Sequence, residues 1–345
     1  MKTKRGLFGI LATLLCISFS SAHAAPGYRL VPLDDGTHGT MAFDLNQRGE
    51  VVGMRSVGGE THAFRWRDGV FTDLHDLIAP ESTYSQAAGL NDRGAIVADS
   101  FDGESFRGFL LRGNQVSPIN VVSGETQVFP FDINDRGQIL VDSIVNGRED
   151  SFIVAGSNVQ RLEGPPGGTD STHAVAINDR GAVAGSTNTA AGTRAVLWQN
   201  GTAIDLGVTA GASSSFAYDL NDRNEVVGSV NIGGGSHAMH WRNGTMTLLP
   251  ALPGEAASSP QAVNTWGAIV GSTIILEPQF RSTATAWLGR TVVELDGLVR
   301  ADDPLKPYVH LTGAEQVNDR GDIVASGVDS RSGRQVVYFM TLFGN

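Results

Sequence analysis

The chain has 345 residues and a formal net charge of −11, with 41% hydrophobic residues, only 18% charged residues and 43 glycines. An acidic balance of this size argues against a nucleic-acid partner and against binding to an anionic membrane surface. Abundant glycine with few charges favours many short strands joined by tight turns over long solvated helices.

Residues 1–24 have the pattern of an export signal. Their start is basic, Leu7 to Phe19 form an apolar run too short to span a bilayer as a stable helix, and Ala22-His23-Ala24 places small residues at the cleavage positions. We therefore expect a cleaved signal peptide and a secreted or periplasmic protein. No second hydrophobic segment of spanning length follows, so we expect no membrane insertion.

Removal of this segment changes both the charge and the thiol content of the chain. The mature protein would begin at Ala25, and the loss of three basic residues and no acidic ones moves the formal charge from −11 to −14. Cys16 is the single cysteine and lies in the signal. Disulfides, iron–sulfur clusters and thiol catalysis are therefore excluded for the mature chain.

One short pattern, an apolar residue followed by Asn-x-x-Gly and a second apolar run, occurs seven times. The seven copies begin at Asn46, Asn91, Asn134, Asn178, Asn221, Asn264 and Asn318, in steps of 45, 43, 44, 43, 43 and 54 residues. A repeat of this length predicts stacked supersecondary units. Asn is typical of the first corner of a tight turn, and the fourth position should need positive φ, which also suits Asn224, the residue that replaces Gly in the fifth copy.

The first unit shows the parts that the others share. They are a short strand at Ala42 to Leu45, a second strand at Val51 to Gly53, a third at His62 to Trp66 and a fourth at Val70 to Leu74. Adjacent apolar residues predict that the second strand is buried on both faces. Its third residue is Gly or Ala in six units, which predicts a crowded place near the axis or between neighbouring sheets.

Four short antiparallel strands in each of seven units predict an all-β fold, a seven-bladed β-propeller that forms a single domain over residues 25–345. The seventh unit ends at Asn345 without a clear fourth strand, whereas Tyr28 to Leu33 resemble a fourth strand that has no unit of its own. We therefore expect the N-terminal strand to complete the last blade and close the ring, which also removes exposed sheet edges.

The unit resembles the bacterial extracellular HAF repeat, a family named for the His-Ala-Phe that stands here as His62-Ala63-Phe64. The family pattern is Asn-x-x-Gly-x-Val-Val-Gly, then His-Ala-Phe-x-Trp, then Asn-Gly and an Asp-Leu strand. The fifth unit, Asn221 to Leu249, keeps nearly all of it, while units two and three lack both the His and the Trp. The resemblance implies export and repetition, and it implies no catalytic residue.

The turns supply the first candidate site, because the repeat places all of them on one face of the ring, which we call the tip face. Six turns carry an arginine at the third position and one carries a tryptophan: Arg48, Arg93, Arg136, Arg180, Arg223, Trp266 and Arg320. Such a ring could hold an acidic glycan or a carboxylate-rich partner through charge-assisted hydrogen bonds. The alternative is that five neighbouring acids neutralise the arginines: Asp92, Asp135, Asp179, Asp222 and Asp319. On the opposite face we expect the Asn-Gly hairpins and the loops between blades.

Metal and catalytic patterns are weaker. Asp132-x-Asn134-x-x-Gly137 begins like a calcium loop, but Arg136 takes the fifth position and no Glu follows at the twelfth. The histidines of the third strands lack the spacing of a zinc site. We therefore predict no metal and no cofactor. Glu277 and Asp302-Asp303 could serve an active site on the longest interval, although adjacent aspartates before a proline are typical of a solvated turn.

Two functional hypotheses follow. The first is an exported, monomeric, non-enzymatic module that binds an extracellular glycan or protein. The second is a propeller hydrolase or lyase that acts on polysaccharide with carboxylates at the central channel. A catalytic propeller should bring two or three non-repeating carboxylates together in an axial pocket, whereas a binding module should show only the repeated chemistry of the tips.

Overall fold

The computed structural model describes residues 27–122, 125–145, 147–275 and 281–343, so the predicted signal peptide lies outside the described residues. Within these ranges the chain forms seven four-stranded antiparallel sheets arranged as the blades of a ring. The all-β, seven-bladed propeller predicted from the repeat is confirmed. Among the described residues, no helix is both long and apolar enough to cross a bilayer.

The strands follow the repeat closely. Strand β1 (Gly27–Pro32) begins the described chain and belongs to blade 7. Blades 1 to 3 consist of β2 (Met41–Leu45), β3 (Val51–Val57), β4 (Glu60–Arg67), β5 (Val70–Asp73), β6 (Ser85–Leu90), β7 (Ala95–Phe101), β8 (Phe106–Arg112), β9 (Gln115–Pro118), β10 (Glu125–Ile133), β11 (Ile139–Val145), β12 (Arg148–Ala155) and β13 (Asn158–Arg161). The short helix α1 (His75–Ile78) connects blade 1 to blade 2.

The remaining blades repeat this arrangement. Blades 4 to 6 consist of β14 (Gly168–Ile177), β15 (Val183–Thr189), β16 (Gly192–Gln199), β17 (Thr202–Asp205), β18 (Ala212–Leu220), β19 (Val226–Ile232), β20 (Gly235–Arg242), β21 (Thr245–Leu248), β22 (Ala257–Val263), β23 (Ala268–Ile275), β24 (Arg281–Leu288) and β25 (Thr291–Glu294). After helix α2 (Leu295–Leu298), blade 7 adds β26 (Val309–Val317), β27 (Ile323–Asp329) and β28 (Arg334–Phe343) to β1.

The second strand of each blade is buried, as predicted, and Val51 and Val52 have no exposed surface. The reason for its small third residue differs from the prediction. A Cβ added to Gly53 would lie 1.9 Å from the carbonyl oxygen of Met41 in the first strand of the same blade. The register of the two strands shifts between Ala42 and Asp44, and the equivalent first strands also carry such an irregularity. The crowding therefore comes from this bulge and not from the axis or a neighbouring sheet.

The core lies between neighbouring blades. The repeated tryptophan of the third strand packs onto the preceding blade: Trp66 contacts Phe339 in blade 7, and Trp287 packs with Val227 of blade 5. The indole N–H of Trp287 also donates to the Pro250 carbonyl at 2.6 Å. Because burial of an indole between blades stabilises both, each blade depends on its neighbour.

The N-terminal strand closes the ring, as predicted. Strand β1 pairs antiparallel with β28, from Gly27 opposite Phe343 to Pro32 opposite Tyr338, a few residues nearer the C-terminus than expected. The acidic pair of the longest interval fastens it. Asp302 forms an ion pair with Arg29 at 2.8 Å, and the Asp303 carboxylate accepts the Leu30 N–H at 3.1 Å. The hypothesis that Asp302-Asp303 is only a solvated turn is therefore wrong.

Deletion of residues 25–34 tests the closure. The deletion removes two buried leucines, Leu30 of β1 and Leu33 just after it, and leaves β28 as an open edge. We expect the unfolding free energy to fall by at least about 3 kcal/mol and the protein to aggregate. Urea unfolding and light scattering measure both effects. A truncated protein that unfolds like the parent and stays monomeric would contradict the account of closure.

Candidate functional site

A closed ring of asparagine side chains joins the seven turns of the tip face. Each side-chain amide is buried and donates to the backbone carbonyl of the asparagine in the next blade. The donors and acceptors are Asn46 to Asn91, Asn91 to Asn134, Asn134 to Asn178, Asn178 to Asn221, Asn221 to Asn264, Asn264 to Asn318 and Asn318 back to Asn46, with N···O distances of 3.2, 3.0, 2.8, 2.9, 2.9, 3.0 and 3.1 Å.

The same side chains build the turns. In the second blade, the Asn91 Oδ1 accepts the backbone N–H of Arg93 at 3.1 Å and of Ala95 at 3.0 Å, and the other blades repeat this pair of bonds. The fourth turn residue has positive φ in every blade, including Asn224 at 58°. The predicted turn chemistry is confirmed. One asparagine therefore satisfies two N–H groups of its own turn and holds the next blade.

The aspartates that follow the ring asparagines point inward. The Asp92 Oδ1 accepts the Gln47 N–H of the preceding blade at 2.7 Å, and Asp135 accepts the Asp92 N–H at 2.9 Å. Asp179, Asp222 and Asp319 make the same contact with the blade before them. Among the described residues, no ion pair joins one of these aspartates to a tip arginine. One oxygen of each carboxylate instead accepts a backbone N–H of the preceding blade.

The predicted arginines form a wider circle, and the structure brings all seven predicted site residues to the tip face as exposed side chains. Arg48 and Arg320 form ion pairs with acids two residues on, Glu50 at 2.8 Å and Asp322 at 2.6 Å. In the described part of the chain, the other four have no carboxylate within ion-pair distance. They are Arg93, Arg136, Arg180 and Arg223. Their charges are therefore available to a partner.

The hairpins between third and fourth strands also lie at the tip face, which corrects their predicted position on the opposite face. Asn200-Gly201 lines one cleft together with Arg180 and Gly181 of the same blade's tip. The second strand of each blade runs away from the tip face and the third runs back to it. The hairpin that follows the third strand therefore lies at the tip face.

Three channel aspartates, Asp44, Asp132 and Asp219, were not identified as a site from the sequence. They line a small axial cavity of about 250 Å³ beneath the ring. Each stands two residues before a ring asparagine, in blades 1, 3 and 5, where blades 2, 4 and 6 have Gly or Ala. This alternation is the signal that could have revealed them.

Each channel aspartate uses both oxygens. Asp132 accepts the Ile133 N–H at 2.7 Å and, from blade 4, the Ile177 N–H at 2.8 Å. Asp44 and Asp219 make the same pair of bonds with their own strand and with the next blade. The carboxylates expected of a catalytic channel thus converge, but their contacts fit the docking of one blade onto the next. In the calcium-like sequence, the side-chain oxygens of Asp132 and Asn134 likewise already accept backbone N–H groups.

Burial in the channel wall raises the pKa of all three channel aspartates. For Asp44 the charge of Asp132 adds to the effect of burial, and for Asp219 the pKa rises to about 7. Bonds from backbone N–H groups oppose the shift without cancelling it. The channel therefore carries less negative charge near neutral pH than its three carboxyl groups suggest.

One group of possible metal ligands lies away from the tips. Among the described residues, Glu60, His62 and His75 alone place three such atoms within 4.8 Å of one another. The two imidazole rings are stacked with centroids 4.1 Å apart and planes 10° from parallel. Both ring nitrogens of the buried His75 already contact Ser85 Oγ and the Ser82 carbonyl. Since lone pairs lie in the ring plane, two parallel rings cannot direct them at one ion, and the geometry fits a packed pair.

Comparisons with known proteins identify the fold. No family model and no curated relative matches the chain. Among solved structures, YCF48 from Cyanidioschyzon merolae is 9% identical with a TM-score of 0.55, over 91% of this chain and 99% of that one. The β-propeller domain of the Trilobed protease from Pyrococcus furiosus is 9% identical with a TM-score of 0.54, over 89% and 99%. A structure of YCF48 bound to D1 peptide is 9% identical with a TM-score of 0.50, over 91% and 95%. These similarities show a propeller, a fold that serves many functions.

The channel aspartates predict how stability depends on pH. Each keeps its proton in the folded state above the ordinary pKa of 3.8, at which the unfolded chain loses it. The unfolding free energy should therefore fall as pH rises from about 4 to about 8. In urea we expect the protein to be more stable at about pH 5.5 than at about pH 8, by at least about 1 kcal/mol.

The Asp219→Asn variant is the control for this prediction. It removes one titrating group, so the difference between the two pH values should shrink even if the variant is less stable overall. Equal stability of the parent at both pH values, or greater stability at the higher one, would contradict the assignment.

Proposed function

We propose that the protein is an exported, non-enzymatic binding module that holds an extracellular acidic partner, a glycan or a protein, on its tip face. The observation that carries the proposal is an arc of exposed arginines on blades 2 to 5 that have no ion pair among the described residues: Arg93, Arg136, Arg180 and Arg223. Arginine suits this role because its planar guanidinium can bind a carboxylate through two parallel hydrogen bonds. Their fixed spacing around the ring suits a partner that repeats its own charges.

The location of the acids supports the same proposal. The formal charge of −14 expected for the mature chain opposes an anionic partner in general, so attraction must be local. The tip aspartates lie inside the arginine circle, and one oxygen of each is bonded to a backbone N–H group. The raised pKa values of the channel aspartates reduce the charge at the centre still further. An approaching partner thus meets the arginines first.

Three further lines support the proposal. The channel aspartates are engaged between blades, which favours a binding module over the alternative hydrolase or lyase. YCF48, a propeller of similar fold, has been solved bound to a peptide. The basic start, apolar run and cleavage pattern of residues 1–24 support export, and the repeat pattern supports membership of the HAF repeat family.

The test replaces the four unpaired arginines together by glutamine and measures capture of acidic and neutral glycans and of acidic protein. Exposed tips contribute little to stability, so the variant should fold like the parent. It should bind the acidic partner roughly tenfold less tightly at low salt, and the parent's own binding should fade as salt rises. Calorimetry or a pull-down at low and moderate salt measures both.

A matched control removes the same charge from the opposite face. The third strands start at the opposite face, and four of them carry an arginine at or near their first residue: Arg107, Arg194, Arg281 and Arg334. Their replacement by glutamine should leave binding unchanged. Indistinguishable binding by the parent and the tip variant, or binding that does not respond to salt, would contradict the proposal.

A further inference from the structure

The tip of blade 6 differs from the other six. Trp266 stands where the others carry arginine, and its side chain is 59% exposed. Its indole N–H donates to the Asp319 carbonyl of blade 7 at 3.0 Å, and the Arg223 guanidinium of blade 5 lies 5.5 Å from the ring centroid. The indole is thus held by contacts with both neighbouring blades, while much of its surface faces solvent. A large, rigid and exposed aromatic surface is typical of a binding site.

The contact of Arg223 with Trp266 distinguishes blade 5 from blades 1 and 7. In blades 1 and 7 the acid two residues on forms an ion pair with the tip arginine. In blade 5 that acid is Glu225, which pairs with Arg242 at 3.1 Å and His240 at 3.4 Å on the third strand, β20. Among the described residues Arg223 has no ion pair, and its guanidinium lies against Trp266.

Beside this aromatic platform is a cavity of about 1140 Å³ between blades 5 and 6, which we call the blade 5–6 groove. Its walls include the apolar Leu248 and Leu288 and the exposed hydroxyls of Thr245, Thr247 and Thr291. Arg290 is exposed at its edge and, within the described part of the chain, has no ion-pair partner. The groove thus combines an apolar surface, hydroxyls and a cation that has no ion pair among the described residues.

We infer that the blade 5–6 groove is a subsite for a uronic acid residue of an acidic polysaccharide, an assignment that rests on the proposed function and specifies its ligand. The C–H face of the sugar packs on Trp266, and its carboxylate binds Arg290. Hydroxyl groups of the sugar reach the threonines. A neutral sugar would lose the contact with Arg290, and an acidic peptide would lack the flat apolar face.

The decisive variant is Trp266→Arg, because it restores the residue of the other six tips and should fold normally. It adds a positive charge to the tip face while it removes the aromatic surface. If the groove binds a sugar ring, affinity for trigalacturonate should fall roughly tenfold despite the added charge. If only charge attracts the ligand, affinity should stay the same or rise, and the inference is wrong while the proposed function stands. Calorimetry with purified full-length protein measures the affinity.

A second variant tests the carboxylate contact. Arg290→Gln should weaken binding of trigalacturonate but not of its methyl ester, whereas Arg281→Gln, the same change at the other end of blade 6, should alter neither. Equal loss for acid and ester would overturn the assigned role of Arg290.

A hexaglutamate peptide that binds as tightly as trigalacturonate, and loses affinity with Trp266→Arg, would show a peptide groove and overturn the inference. If the parent binds no uronate oligomer but the arginine-circle test succeeds with another acidic partner, only the subsite is wrong.

Discussion

The closed ring of asparagine amides is the interaction on which the rest of the structure depends. The side-chain oxygen of each ring asparagine accepts two N–H groups of its own turn, and its side-chain amide donates to a carbonyl of the next blade. A buried carbonyl left without a donor would cost about 1–3 kcal/mol, so removal of one side chain affects two blades. Since Asn318 returns the bond to Asn46, the ring is closed at its inner edge as well as at the outer strand β1.

The asparagine ring also separates the acidic from the basic side chains of the tip face. Because the asparagine fixes each turn, the aspartate that follows it in five blades directs its carboxylate toward the preceding blade, while the arginine after it is exposed. Inner acids and outer arginines become two concentric circles with separate tasks, cohesion and contact with a partner. The exposed third position of each turn can therefore vary without loss of the fold. Blade 6 shows this, because it carries Trp266 at that position while Asn264 keeps its bonds in the ring and in the turn.

The sequence predicts the fold well because its determinants are local and repeated: Asn and Gly recur at the same corners, and the last unit visibly lacks a strand that Tyr28 to Leu33 can supply. The site is less predictable because it depends on contacts between units. The channel position of Asp132 follows from a bulge in β10, and the position of Arg223 depends on Trp266 in another blade. Neither bulges nor the choice among ion-pair partners can be derived from spacing alone.

Urea unfolding of two variants with the same chemical change tests whether the asparagine ring holds the blades together. Asn91→Asp keeps the oxygen that caps the turn but removes the amide that donates to the Asn134 carbonyl at 3.0 Å. Asn200→Asp makes the same change in an exposed hairpin, where Asp68 already occupies the equivalent position of blade 1 with positive φ. We expect a loss of about 1–3 kcal/mol for the first variant and less than about 0.5 kcal/mol for the second. Equal losses would show that the asparagine ring does not hold the blades together.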